Sequence, residues 1–157
     1  AFHRLGCNIV YFDPALKDKS KAEAMNAKAM ALDELLKTAD VVTLHLVLSE
    51  RSRGTIGAAD LALMKRTAFL VNTSRGPLVD QAALIAALTE GRIAGAGLDV
   101  FDQEPLPAGH PLLAAPNTVL TPHLGYVTEE NFRAYYASAV ESILGYCAGT
   151  PVRQIKD

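Results

Sequence analysis

Short apolar runs alternate with helix-like segments along the whole 157-residue chain, and this order constrains the fold more than any single motif. Strands read at 7–12, 41–46, 68–72, 94–99 and 118–121, and helices at 32–39, 58–65, 81–89 and 128–147. Residues 1–6 read as the tail of a helix ended by Gly6, and 18–25 as an exposed Lys-rich helix or loop. Alternation of this kind predicts a parallel sheet with helices on both faces. The run 41–46 is nearly continuous in apolar residues, the pattern of a strand covered on both sides. Asp80 is a suitable cap for the helix that Gly91 ends. Thr128 caps the long last helix, with Glu129 and Glu130 in its first turn. Phe132, Tyr135, Tyr136, Val140, Ile143 and Leu144 form that helix's apolar stripe. Charged residues fill 49–54 and prolines 105–116, both read as loops; there is no internal repeat.

Composition narrows the partners. A formal charge of −2 gives no reason to expect nucleic acid or an anionic membrane. No apolar run reaches the roughly 18 residues of a membrane span, and no signal peptide is visible. Cys7 and Cys147 match no metal spacing and read as free thiols in a reducing compartment; the expected cytoplasmic location rests on the absence of targeting signals. The first residue is Ala rather than Met, so an upstream segment is expected.

In open parallel sheets, ligands bind at the carboxyl ends of the strands. Reactive groups gather there. The strand 68–72 breaks into Thr73-Ser74-Arg75, turns at Gly76-Pro77 and restarts as a helix. Arg75 is a permanently charged planar fork suited to a carboxylate, or else a surface ion pair. Asn72, Thr73 and Ser74 are either turn formers or a backbone lining for a cofactor. Asp99 ends the next strand, as a ligand group or a simple cap. Glu104 follows on the loop; a carboxylate beside an imidazole raises its pKa and fixes its tautomer, and otherwise serves loop solubility. Asp102 reads as solvated. His123, after the last strand, is the imidazole with the best context; His3 and His110 have none comparable, and His45 at a strand end either meets an adenine or packs. Asp13 follows the first strand, where a carboxylate can accept ribose hydroxyls and repel a 2′-phosphate, or can initiate the Asp-Pro turn. Small residues at 94–97 let another backbone or a flat ring approach closely. No metal cluster is read.

A dinucleotide-binding sheet opens with a strand, a Gly-rich turn and a helix, its first strand central in the order 3-2-1-4-5-6. No G-x-G-x-x-G motif exists here, and Gly95-x-Gly97 is not followed by a helix. The expected fold is therefore α/β, a doubly wound parallel (Rossmann-like) sheet incomplete at its N-terminal side, with a gap where the central strand belongs. Two regions follow: 1–126, a partial dinucleotide-binding domain, and 127–157, the last helix and tail.

Val71-Asn72-Thr73-Ser74-Arg75-Gly76-x-Leu78-Val79-Asp80, Gly97-Leu98-Asp99-Val100-Phe101-x-x-Glu104-Pro105 and Thr121-Pro122-His123-Leu124-Gly125 together resemble the NAD-dependent D-2-hydroxyacid dehydrogenases. The resemblance covers almost the whole chain. It implies hydride transfer between NAD(H) and a small D-2-hydroxy acid or its 2-keto acid. Arg75 would hold the substrate carboxylate and carbonyl, His123 would be the general acid/base, and Glu104 its partner. Asp13 would bind the adenosine ribose; His45 and Val47 would lie near the adenine. Asp99 would bind the carboxamide, and Thr73, Ser74 and Arg75 would line the nicotinamide, with His123 and Gly125 beside it. The family's separate substrate domain is not in this sequence, so 127–157 would have lost its packing partner, leaving Phe132, Tyr135 or Tyr136 partly exposed. The resemblance further implies a homodimer in the full-length protein and an inactive fragment by itself. Tyr126 stands where a small residue is common in the family, a departure that leaves the shape of the substrate pocket open. The same fold serves co-repressors, so a non-catalytic NAD(H) sensor is the alternative.

Overall fold

The computed structural model describes residues 2–155; Ala1, Lys156 and Asp157 lie outside them. The chain forms two compact units, residues 1–122 and 123–157.

In the first unit, a 3-10 turn at Phe2–Leu5 ends at Gly6, which takes φ +81°. Strand β1 (Val10–Tyr11) pairs in parallel with β2 (Lys28–Ala29), and helix α1 (Ser20–Ala24) connects them. After α2 (Leu32–Thr38) come β3 (Val41–Leu44), α3 (Ala58–Leu63), β4 (Phe69–Asn72), α4 (Gln81–Thr89), β5 (Gly95–Leu98) and β6 (Thr118–Leu120). Strands β3 to β6 form one all-parallel sheet in sequence order. No hydrogen-bonded strand pairing joins it to the β1–β2 pair among the described residues, so the sheet is in two pieces, as the sequence leads one to expect.

Register places the core on one face. Val42, Leu70 and Ala96 lie side by side, and so do Leu44, Asn72 and Leu98; all six are buried. Leu36, Leu61, Leu84 and Leu88 from α2, α3 and α4 belong to the same buried set. Burying a Leu side chain contributes roughly 1.5–3 kcal/mol, so this face dominates the unit's stability. The expectation that β3 is covered on both faces needs correction. Its burial alternates, and Val41 is 51% exposed. Phe69 and Val119 are exposed on the other strands. The cause is one-sided cover: Val41 lies in register with Phe69 of the interior strand β4, which is exposed as well, and only the Val42–Leu44 side of β3 meets the core.

Helix α4 has the bounds the sequence predicts, because both ends are set locally. The Asp80 carboxylate accepts from the Ala83 N–H at 3.0 Å, and Gly91 terminates the helix at φ +62°. The loop 105–116 is more ordered than expected. It contains a 3-10 turn at Pro111–Ala114, capped by the His110 Nδ1, which accepts from the Leu112 N–H at 3.2 Å.

The second unit is dominated by α5 (Glu129–Cys147), capped by the Thr128 hydroxyl, which accepts from the Asn131 N–H. No residue of α5 is buried, and its stripe from Phe132 to Leu144 is open to solvent. The following segment turns back on the helix, with Arg153 paired to Glu141 and the Thr150 carbonyl close over Gly145.

Candidate active site

Parallel pairing in register brings the carboxyl ends of β3, β4 and β5 to one rim. Each end then departs as a turn carrying a candidate residue. Asn72 ends β4 and is 1% exposed. Its side-chain amide donates to the Arg75 carbonyl at 2.8 Å, while its Oδ1 accepts from the Ser74 N–H at 3.1 Å. One buried side chain thus shapes the whole Thr73–Arg75 turn. The Ser74 hydroxyl donates to the Leu46 carbonyl at 2.6 Å, tying this turn to the segment that carries His45 and Val47. His45 Nε2 lies 3.1 Å from the Thr43 hydroxyl. Val47 is 86% exposed, an apolar side chain held open at the rim.

Beyond Arg75, the chain is pinned on both sides. The Gly54 and Ile56 N–H groups donate to the carbonyls of Pro77 and Leu78, and Asp80 N–H returns a bond to Ile56. Gly76 is buried against the next turn. A Cβ there would sit 2.1 Å from the Phe101 carbonyl carbon and 2.6 Å from the Asp102 nitrogen. The backbone carrying Arg75 and the turn leading to Glu104 are therefore in direct contact, which only a glycine permits. The second turn is closed by Glu104 itself, whose Oε1 accepts from the Phe101 N–H at 2.9 Å.

Asp99 is buried at the end of β5. Its N–H donates to the Asn72 carbonyl, and its Oδ1 accepts a 2.5 Å bond from the Thr121 hydroxyl. Asp102 is held differently. It is exposed, yet partial desolvation raises the pKa of its carboxyl; Arg53 opposes this, Asp80 adds to it and His110 opposes it.

Arg75 is exposed, its Nη1 donating to the Ser74 carbonyl at 2.6 Å, and makes no ion pair among the described residues. Asp13 lies just beyond β1, on the smaller sheet; its carboxylate accepts from the Ala15 N–H at 2.9 Å, the turn-forming role. His123 and Gly125 belong to the second unit. His123 has φ +58°, a left-handed conformation uncommon outside glycine and concentrated at functional positions. The Tyr126 ring stands edge-on to its imidazole, centroids 5.8 Å apart at 84°.

Three residues acquire roles the sequence does not single out. Asn72 reads as one turn former among several, and its burial decides the matter. Thr121 and Gln81 look like ordinary strand and helix residues, and only their contacts across the chain distinguish them. The small strand β5 divides: a Cβ on Gly95 would meet the Asn117 carbonyl oxygen at 2.4 Å, whereas one on Gly97 would meet only Val71, at 3.8 Å. Close backbone approach explains Gly95 but not Gly97.

Comparison with known proteins follows the same lines. Residues 1–125 match the family described as D-isomer specific 2-hydroxyacid dehydrogenase, NAD binding domain. A glyoxylate reductase of Aeropyrum pernix is 42% identical over 144 residues, which are 92% of this chain and 43% of the relative. Glyoxylate/hydroxypyruvate reductase B of Citrobacter koseri is 48% identical over 127 residues, 81% of this chain and 39% of the relative. The chain thus spans less than half the length of these relatives. Among solved structures, a putative D-3-phosphoglycerate dehydrogenase of Ralstonia solanacearum aligns with TM-score 0.88 at 37% identity, over 95% of this chain and 44% of that one. D-lactate dehydrogenase with NAD+ from Lactobacillus jensenii aligns with TM-score 0.86 at 30% identity, over 99% and 50%.

Proposed function

The chain belongs to the D-isomer specific 2-hydroxyacid dehydrogenase family, through its NAD-binding domain, and we propose that it forms the cofactor-binding half of an enzyme that reduces a small 2-keto acid with NADH. The observation that carries this reading is the contact at Gly76, which joins the Arg75 turn to the Glu104 turn at the carboxyl rim. The residues present fit the dinucleotide. Val47 offers an open apolar side chain at the rim for a flat base, and Gly97 is small with no neighbour that demands it.

In this reading His45 and Val47 meet the adenine, Asp13 meets the ribose, and Asp99 receives the carboxamide beside the Thr73–Arg75 backbone and Gly125. When bound, NADH supplies the hydride that the keto carbon accepts. Arg75 grips the substrate carboxylate with its planar fork and stabilises charge growing on the carbonyl oxygen. His123 gives its proton to that oxygen, a general acid step worth roughly 10²–10⁴-fold. Glu104 holds the His123 ring in place. The names of the relatives favour glyoxylate or hydroxypyruvate as substrate. Residues 127–157 serve as the helix that packs on the substrate domain, a role supported by the uncovered stripe of α5. The family resemblance adds a homodimer. Free Cys7 and Cys147, and the absence among the described residues of a helix long and apolar enough to cross a membrane, support a cytoplasmic site.

Steady-state oxidation of NADH by glyoxylate, hydroxypyruvate or pyruvate tests this reading in the complete protein. Arg75→Ala and His123→Ala are each expected to remove most of kcat. Normal turnover by either variant would refute the role given to that residue. NADH binding without turnover of any 2-keto acid would favour the non-catalytic sensor.

A further inference from the structure

Gln81 is the first residue of α4, half-buried, and plays no part in the chemistry above. Its side chain nevertheless spans two elements. Its Oε1 accepts from the Asp102 N–H at 3.5 Å, and its Nε2 lies 3.1 Å from His110 Nε2. Asp102 sits inside the turn that Glu104 closes on Phe101, so Gln81 holds that turn at the Asp102 N–H. We propose that Gln81 is a positioning residue for Glu104: it holds the Phe101–Glu104 turn from which that carboxylate is presented. This rests on the dehydrogenase reading and adds a residue to it.

The donor and acceptor inventory makes the idea specific. His110 Nδ1 accepts from the Leu112 N–H, so a neutral ring keeps its proton on Nε2. That Nε2–H seeks an acceptor, and so does the Asp102 N–H. The Gln81 amide has one oxygen to offer them. In that tautomer both facing nitrogens of the Gln81–His110 contact carry hydrogen, so the contact gives Gln81 no hydrogen bond and the amide is held at the turn by its carbonyl alone. A carboxylate at position 81 would accept from both donors. It would also stand in the first turn of α4, where negative charge is favoured.

The test measures kcat, KM and the pH profile of kcat for glyoxylate reduction in the complete protein, with thermal midpoints as a check on folding. Gln81→Leu is expected to lower kcat roughly ten- to a hundredfold with KM changed less, since misplacement by about 1 Å can cost 10²-fold. Its high-pH limb should move to lower pH, in the direction Glu104→Gln moves it, because the imidazole has lost a well-placed anion. Gln81→Asn, a milder shortening, should move both quantities the same way, and Gln81→Glu should stay within about twofold of wild type. A merely structural role would shift the midpoint and leave the pH profile alone. Wild-type kcat and profile in both Gln81→Leu and Gln81→Asn, with Glu104→Gln impaired, would overturn the proposal. Wild-type behaviour of Glu104→Gln would instead overturn the role of Glu104 beneath it.

Discussion

Replacing Gly76 by Ala inserts one methyl group between the two turns that matter most. The new Cβ would lie 2.1 Å from the Phe101 carbonyl carbon and 2.2 Å from its oxygen, whereas real Cβ contacts essentially never fall below 3.0 Å. The two backbones must part by about 0.9 Å. Both sides resist. The Gly76–Leu78 turn is bonded to Gly54 and Ile56, and Glu104 closes the other turn on Phe101. Forcing extra volume into a packed site typically costs about 1–3 kcal/mol. The functional loss should be larger than that, because Arg75 adjoins the inserted methyl and Glu104 rides on the turn it displaces. A shift of this size predicts a fall in kcat/KM of roughly 10²-fold, close to 2.7 kcal/mol of transition-state stabilisation. Urea unfolding and steady-state kinetics on the same sample separate the two effects. Gly97→Ala is the stability control, since its Cβ meets only Val71 at an ordinary 3.8 Å. Gly76→Ala with wild-type kcat/KM would show that the contact between the turns does not position the site.

Other substitutions probe the remaining pieces. Arg75→Lys keeps the charge and loses the planar fork, so kcat/KM for the keto acid should fall at least tenfold while NADH binding by fluorescence titration is unchanged. Asn72→Ala strips a buried side chain from the Arg75 carbonyl and the Ser74 N–H, and should destabilise the protein by about 1–3 kcal/mol in urea unfolding. Asp102→Asn removes a carboxyl whose pKa burial raises in the folded state. Such a group binds more protons folded than unfolded, so wild-type stability falls as pH rises through its folded pKa. The variant should therefore have the higher urea midpoint at neutral pH, and the gap should close as pH drops through the carboxylate range.

The sequence carries the fold well where local chemistry sets it. Asp80 and Gly91 bound α4 from within, and Thr128 begins α5 by its own hydroxyl. It fails where a partner decides. Lys28 and Ala29 are exposed and show no alternation; they form β2 only because β1 lies alongside, with the Lys28 N–H on the Ile9 carbonyl. The apolar run of β3 suggests two covered faces, but only one face of the sheet meets the core, and Val41 is left in solvent. The site divides in the same way. Arg75 and Glu104 stand out by residue type at strand ends. Asn72, Gln81 and Thr121 act through contacts with residues that lie from 2 to 29 positions away, and no local pattern marks them.

A structure of the complete protein with NADH and oxamate, a non-reducible mimic of a 2-keto acid, tests the central claim most directly. The account expects the oxamate carboxylate in the Arg75 fork, its carbonyl oxygen within hydrogen-bond distance of His123, and Glu104 on the far side of that imidazole. Oxamate bound away from Arg75, or His123 and Arg75 facing different cavities, would contradict it.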